Sequence, residues 1–185
     1  DIAADAVLRF PVTILTNGTL LTHHQRDFRN WPRDRVHLQV SLEGLQETHA
    51  RIRGRGTFGR LMAALGWLKA EEIPYTVSMC VIRENFQEME DVVDLAARIG
   101  AGNVHFMWGF GRGRAKGTGT VAPEAAFHQM RRAYDRARRV GMSIDNIETM
   151  RAQVFAPVGT RYDGSVAGWE SIAVGNKLNK SVGAI

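Results

Sequence analysis

The 185 residues carry 24 Lys and Arg against 19 Asp and Glu, a formal net charge of +5, with 44% apolar residues and one cysteine. That is enough chain for one ordinary domain with a sizeable core, but short of the ~250 residues of a closed eight-unit barrel, and no apolar run nears the ~20 residues of a membrane span. Cys80 alone excludes an internal disulfide framework and makes a reducing cytoplasm the expected setting. The chain opens on Asp1-Ile2-Ala3 and stops at Gly183-Ala184-Ile185, and both ends read as cut, so the expectation is a piece of a longer protein.

The first apolar run, Val12-Thr13-Ile14-Leu15, reads as a strand covered on both faces and stops at Thr16-Asn17-Gly18. Leu20 to Phe28 forms a short helix ending before Trp31-Pro32, since the residue preceding a proline is pushed out of the helical region. Val36 to Val40 is a second strand, stopping at Ser41-Leu42-Glu43-Gly44. A loop over Arg51 to Gly56 leads to a helix capped by Thr57, with Phe58, Leu61, Met62, Leu65 and Leu68 as its apolar stripe. Tyr75 to Ile82 is a nearly continuous apolar run, the mark of a buried parallel strand. The next helix carries the stripe Met89, Val92, Val93, Ala96, Ile99 and ends at Gly100. Val104 to Trp108 is a fourth strand, opening into a Gly/Arg loop over Gly109 to Ala115. Pro123 starts a helix striped by Phe127, Met130, Tyr134 and Ala137 and stopped by Gly141, and Met142 to Ile147 is a weaker fifth strand. Strands alternating with helices imply parallel pairing through right-handed crossovers, hence an incomplete α/β barrel or an open parallel sheet.

Five segments in this order carry a resemblance: Leu15-Thr16-Asn17-Gly18; Val40-Ser41-Leu42-Glu43-Gly44 with His49 and Arg51-Ile52-Arg53-Gly54 behind it; Gly56-Thr57-Phe58; Val81-Ile82-Arg83-Glu84-Asn85; and Gly111-Arg112-Gly113-Arg114-Ala115. Together they resemble the radical S-adenosylmethionine (radical SAM) superfamily, in its peptide- and protein-modifying branch with a SPASM-type C-terminal extension. The resemblance implies a partial (β/α)6 barrel over residues 1–150, holding about the third to sixth strands. Residues 151–185 would begin the extension, on the weaker echo from Ala167 to Gly175. It also implies two cofactors: SAM and a [4Fe-4S] cluster whose thiolate ligands are expected upstream of this chain, because three are required and Cys80 is one. The implied partners are a peptide or protein substrate and a reductant such as a flavodoxin or ferredoxin, with no membrane and no nucleic acid.

Residue by residue, the resemblance puts Ser41 on SAM, with the alternative of a hydroxyl making a local turn bond. Glu43 accepts from a ribose hydroxyl or an amino group, or is a solvated loop acid. Thr16 and Asn17 act through backbone near the adenosine, or form a simple turn. Arg53 and Arg83 compete as the partner of the SAM carboxylate, which a guanidinium can hold through two hydrogen bonds. Met107 and Trp108 form an apolar wall beside adenine or belong to the core, and Asn85 reads as a helix cap. His23, His24 and His49 read as solvated rather than as a metal site. No metal ligand is expected within the chain. The rival from another class is a non-catalytic, basic α/β domain binding nucleic acid or a partner peptide, for which the Arg131 to Arg139 cluster would serve.

Overall fold

The computed structural model describes residues 2–109 and 121–147. The chain divides into two units, Asp1–Asp145 and Asn146–Ile185, and the first carries everything below. The Gly/Arg loop from Phe110 onward and the expected extension over 151–185 lie outside the described residues.

Five strands, β1 (Val12–Thr16), β2 (Val36–Ser41), β3 (Tyr75–Val81), β4 (Asn103–Trp108) and β5 (Ser143–Ile144), form one sheet in the order of the chain. Every pairing is parallel. The helices are α1 (Ile2–Val7), α2 (Gln25–Arg29), which continues a 3-10 turn over Leu21–His24, α3 (Gln46–Arg53), α4 (Thr57–Ala70), α5 (Met89–Ile99) and α6 (Pro123–Val140). This is the alternating order that the apolar periodicities require.

Because side chains alternate along a strand, the register sorts the sheet into two faces. Val36, Leu38 and Val40 of β2, Tyr75, Val77, Met79 and Val81 of β3, and Val104 and Phe106 of β4 are all buried. They meet Leu61, Leu65 and Leu68 of α4 and Val92, Val93 and Ala96 of α5, which are equally buried. The opposite face is polar: His37, Gln39 and Ser41 beside Thr76 and Ser78, then Asn103 and His105.

Several expectations are corrected. β1 is not covered on both faces: it pairs with β2 alone among the described residues, and Leu15, on the polar face beside Gln39, is 68% exposed. The segment before Arg53 is helix α3 rather than loop, and α1 was not expected at all. Thr57 does not cap α4, since Gly56 takes that place at φ 77 and the Thr57 hydroxyl donates to the Gly54 carbonyl at 2.6 Å. The buried line of α6 is Ala126, Ala133 and Ala137, leaving Phe127 exposed. The small alanines let α6 lie close on α5, where Arg132 and Arg136 pair with Glu90 and Asp94. The fifth strand contracts to Ser143–Ile144, because Asp145 turns out of the ladder into a helical turn with its carboxylate on His105.

Candidate functional site at the carboxyl ends of the strands

In a parallel sheet all carboxyl ends open on one side, so the residues leaving β1 to β4 share a mouth. Behind β2 lies a buried polar hub. Glu43 is 3% exposed, and its Oε1 accepts from Arg53 Nε at 3.0 Å and from Arg53 Nη2, while Oε2 accepts from the Cys80 backbone N–H at 3.0 Å. The Glu43 N–H donates to His49 Nδ1 at 3.1 Å, and its carbonyl accepts from Asn85 Nδ2 at 3.1 Å. Asn85 also donates to the Cys80 carbonyl at 2.9 Å and accepts from the Ile82 N–H at 2.8 Å. A buried charge is tolerated only when paired and hydrogen-bonded, and here every polar atom of Glu43 has a partner.

The electrostatics follow from that burial. His49 is 1% exposed, and desolvation, helped by the Arg53 charge, lowers its pKa to about 4, so the ring stays neutral and its Nδ1 can accept. Burial, then the Glu43 charge, pushes the Cys80 thiol up, with Arg53 opposing. The loop beyond Glu43 is clamped by Glu88, which accepts from the Leu45 N–H at 2.6 Å and the Thr48 hydroxyl at 2.5 Å. Gly44 has φ 138 and its α-hydrogen faces Thr48 and Glu88, so a side chain there would collide.

Ser41 ends β2 half-buried, and its hydroxyl makes no hydrogen bond among the described residues. Arg53 is held through Nε and Nη2, which leaves Nη1 without a partner among the described residues. Arg83 stands exposed beyond β3, also without a partner among the described residues. Thr16 and Asn17 make only local bonds, Thr16 Oγ1 accepting from the Gly18 N–H and Asn17 Oδ1 from the Thr19 N–H, each at 3.1 Å. Met107 and Trp108 are 42% and 37% exposed at the end of β4, so they are not core.

The structure pairs Glu43 with Arg53 behind β2 and places Ser41 at the end of that strand, with Thr16, Asn17, Met107 and Arg83 at other strand ends of the same sheet. Three readings change. Glu43 is no solvated loop acid, His49 is buried, and Asn85 makes no side-chain cap but ties two strand ends together. The hub role of Asn85 and His49 was missed, although both stand inside the quoted segments.

Comparison with known proteins agrees with this architecture. Residues 2–96 match the family model of the radical SAM superfamily, and the chain belongs to that superfamily. It is 34% identical over 122 residues to the AdoMet-dependent heme synthase of Methanosarcina barkeri (strain Fusaro / DSM 804), a match covering 64% of this chain and 34% of that protein. It is 37% identical over 67 residues to the sporulation killing factor maturation protein SkfB of Bacillus subtilis (strain 168), covering 36% of this chain and 16% of SkfB. Identity to the PqqA peptide cyclase of Rhizobium meliloti (strain 1021) is 36% over 67 residues, or 35% of this chain and 18% of the cyclase. The chain therefore spans about a third or less of the length of these relatives. Among solved structures, native anSMEcpe with bound AdoMet and Kp18Cys peptide superposes with a TM-score of 0.62 at 15% identity, over 80% of this chain and 45% of that one, a likeness of fold.

The family implies SAM and an iron–sulfur cluster. A [4Fe-4S] cluster bound with SAM takes three thiolates, and the one thiol here is held toward its protonated form, so this chain's residues do not fit the cluster. Among the described residues no group of three or more His, Cys, Asp or Glu side chains is placed to hold a metal ion. The donors at the mouth are of a kind that would suit the carboxylate of SAM: a guanidinium nitrogen, Arg53 Nη1, and the Ser41 hydroxyl, both without a hydrogen-bond partner among the described residues. No described helix is long and apolar enough to cross a membrane.

Proposed function

We propose that this chain is the substrate- and SAM-binding part of a radical SAM enzyme that modifies a peptide or matures a protein. The observation that carries the reading is the guanidinium of Arg53, anchored on the buried Glu43 that lies two residues beyond the Ser41 end of β2, within a radical SAM domain. Arg53 Nη1 and the Ser41 hydroxyl would donate to the SAM carboxylate, with Arg83 as the competing cation. The peptide planes of Thr16 and Asn17 would line the adenosine, and Met107 would wall the adenine. Glu43 acts through Arg53, as its positioning residue, rather than on the ligand. When bound and reduced by an iron–sulfur cluster, SAM supplies a 5′-deoxyadenosyl radical that abstracts hydrogen from substrate. The residues here bind, orient and shield.

The cluster ligands come, in this reading, from sequence outside this chain, electrons from a flavodoxin or ferredoxin, and residues 151–185 begin a SPASM-type extension. A reducing cytoplasm suits the free Cys80 thiol. SkfB, a maturation protein, and the PqqA peptide cyclase support the peptide substrate. The longer match to a heme synthase favours a second reading, a tetrapyrrole substrate. The polar character of the sheet face that carries His37, Gln39 and Ser78 argues against a flat apolar macrocycle lying on it.

The test is 5′-deoxyadenosine release by the protein expressed from its complete reading frame after anaerobic cluster reconstitution, with SAM affinity measured beside it. Ser41→Ala should weaken SAM about tenfold, the loss of one hydrogen bond to a charged group, without moving the melting temperature. A cluster-loaded protein that releases no 5′-deoxyadenosine counts against the enzyme, and unchanged SAM binding removes Ser41 from the site.

A further inference from the structure

Below the mouth, the polar face of the sheet holds a pair that the SAM site does not use. The parallel register sets Ser41, Ser78 and His105 side by side on β2, β3 and β4. His105 Nδ1 lies 2.6 Å from Asp145 Oδ1, and the two side chains are 24% and 38% exposed. A carboxylate oxygen only accepts, so Nδ1 carries a ring hydrogen, and in the neutral form of such a ring Nε2 presents the lone pair. Among the described residues nothing pairs with Nε2. Two positions back on the same face, Asn103 Oδ1 is buried with no hydrogen-bond partner at all.

The neighbouring polar groups are spoken for. His37 Nε2 meets Thr76 Oγ1 at 2.7 Å, and Gln39 Nε2 donates to Ser78 Oγ at 3.1 Å. What remains among the described residues is the Ser41 hydroxyl at the mouth and, level with it on β4, His105 Nε2, since the Asn103 oxygen is closed to any incoming donor.

We propose that this face seats the substrate peptide, with His105 Nε2 accepting from one of its N–H, O–H or S–H donors, and with Asp145 fixing the tautomer that leaves that nitrogen as the acceptor. The peptide as occupant rests on the proposed function; the accepting lone pair does not. Among the described residues, the charged and titratable groups on the same face are His37 from β2, Cys80 from β3 and Asp145 beyond β5, whose hydrogen bonds run to Thr76, through the backbone N–H to Glu43, and to His105 Nδ1.

Ethoxyformylation by diethyl pyrocarbonate tests both parts without SAM or cluster. The imidazole lone pair attacks the reagent's carbonyl carbon and expels monoethyl carbonate, which falls to carbon dioxide and ethanol. Labelling rates at pH 7 are read for each histidine by mass spectrometry. His105 should react within about threefold of exposed His23 and at least tenfold faster than buried His49, and Asp145→Ala should slow it severalfold with His23 unchanged. A pool of N-acetylated, C-amidated decapeptides of randomised sequence, at millimolar total concentration, should slow His105 at least twofold and leave His23 alone. His105 as slow as His49 would overturn the accepting site. Reactive His105 protected by protoporphyrin IX, or left unprotected by the peptides, would overturn the peptide as its occupant. Labelling that behaves as expected in a protein releasing no 5′-deoxyadenosine would fault the radical SAM assignment and leave this site standing.

Discussion

The mouths of β1 and β2 carry the same kind of sequence, a polar stop followed by a glycine at positive φ, yet they are built on different physics. At β2, Glu43 is tied to residues 6, 10, 37 and 42 positions away, so the loop is fixed by tertiary partners from α3, β3 and the turn after β3. At β1, Thr16 and Asn17 bond only two residues ahead, beside the exposed Leu15 and Leu20. Only Gly18 is anchored there, with φ 75 and a bare α-carbon that a Cβ would bring to 2.6 Å from Leu61 Cδ1. A strand-end motif therefore tells where a residue stands in the sheet but not whether the fold depends on it.

Removing the central carboxylate should have the largest effect. Glu43→Ala leaves the Cys80 N–H and a guanidinium without their partner. The expected cost is roughly 3 kcal/mol, near the low end for a broken buried pair because Arg53 remains 39% exposed. Urea unfolding measures it, and a loss below about 1 kcal/mol, typical of surface pairs, would erase the distinction between the two mouths.

His49 sharpens the same distinction through pH. Its folded pKa is about 4 against an ordinary 6.5, so between those values the unfolded chain binds a proton that the folded chain does not. Stability from this group is full above pH 6.5 and is lost as pH falls toward 4. The total is on the order of 3 kcal/mol. His49→Asn keeps an acceptor for the Glu43 N–H but cannot titrate, so its urea midpoint should fall less than that of the parent across this window. Parallel curves for the two proteins would mean that His49 is solvated, as its sequence neighbourhood suggested.

The strand order and the helix stripes were legible because each rests on local periodicity: Tyr75–Val81 is a continuous apolar run and is buried almost throughout. So was the place of Ser41 at the end of β2, through the polar stop after an apolar run, whereas Arg53, expected in a loop, ends helix α3. Burial was not legible, because Glu43, His49 and Asn85 are polar residues whose enclosure depends on contacts between α3 and β3 that no local pattern encodes. The His105–Asp145 pair left one signal, a histidine within an apolar strand, but its partner comes from forty residues later and is set by register alone. In the α6 stripe Ala137 is buried as expected, but Phe127 and Tyr134 yield to Ala126 and Ala133, one position earlier, because large side chains outweigh alanine in any hydrophobic pattern while helix packing prefers the smaller residue at close approach.

The smallest effect belongs to the β1 mouth, and it is the sharpest control on the comparison. Asn17 Oδ1 accepts from the Thr19 N–H at 3.1 Å and the Thr19 hydroxyl at 2.9 Å, both exposed to water. When Asn17→Ala removes that acceptor, water takes its place, so neither donor is left unsatisfied and the desolvation penalty of a buried orphan does not arise. The expected loss is about 0.5 kcal/mol, within the range of ordinary surface substitutions. SAM affinity should also hold if the Thr16-Asn17 segment meets adenosine through its peptide planes, which the substitution keeps. Unfolding and calorimetric titration on the same variant separate the possibilities. A stability loss comparable to that of Glu43→Ala would show that the exposed turn is a second structural hub. Weakened SAM binding at unchanged stability would place the Asn17 side chain, and not its backbone, on the ligand.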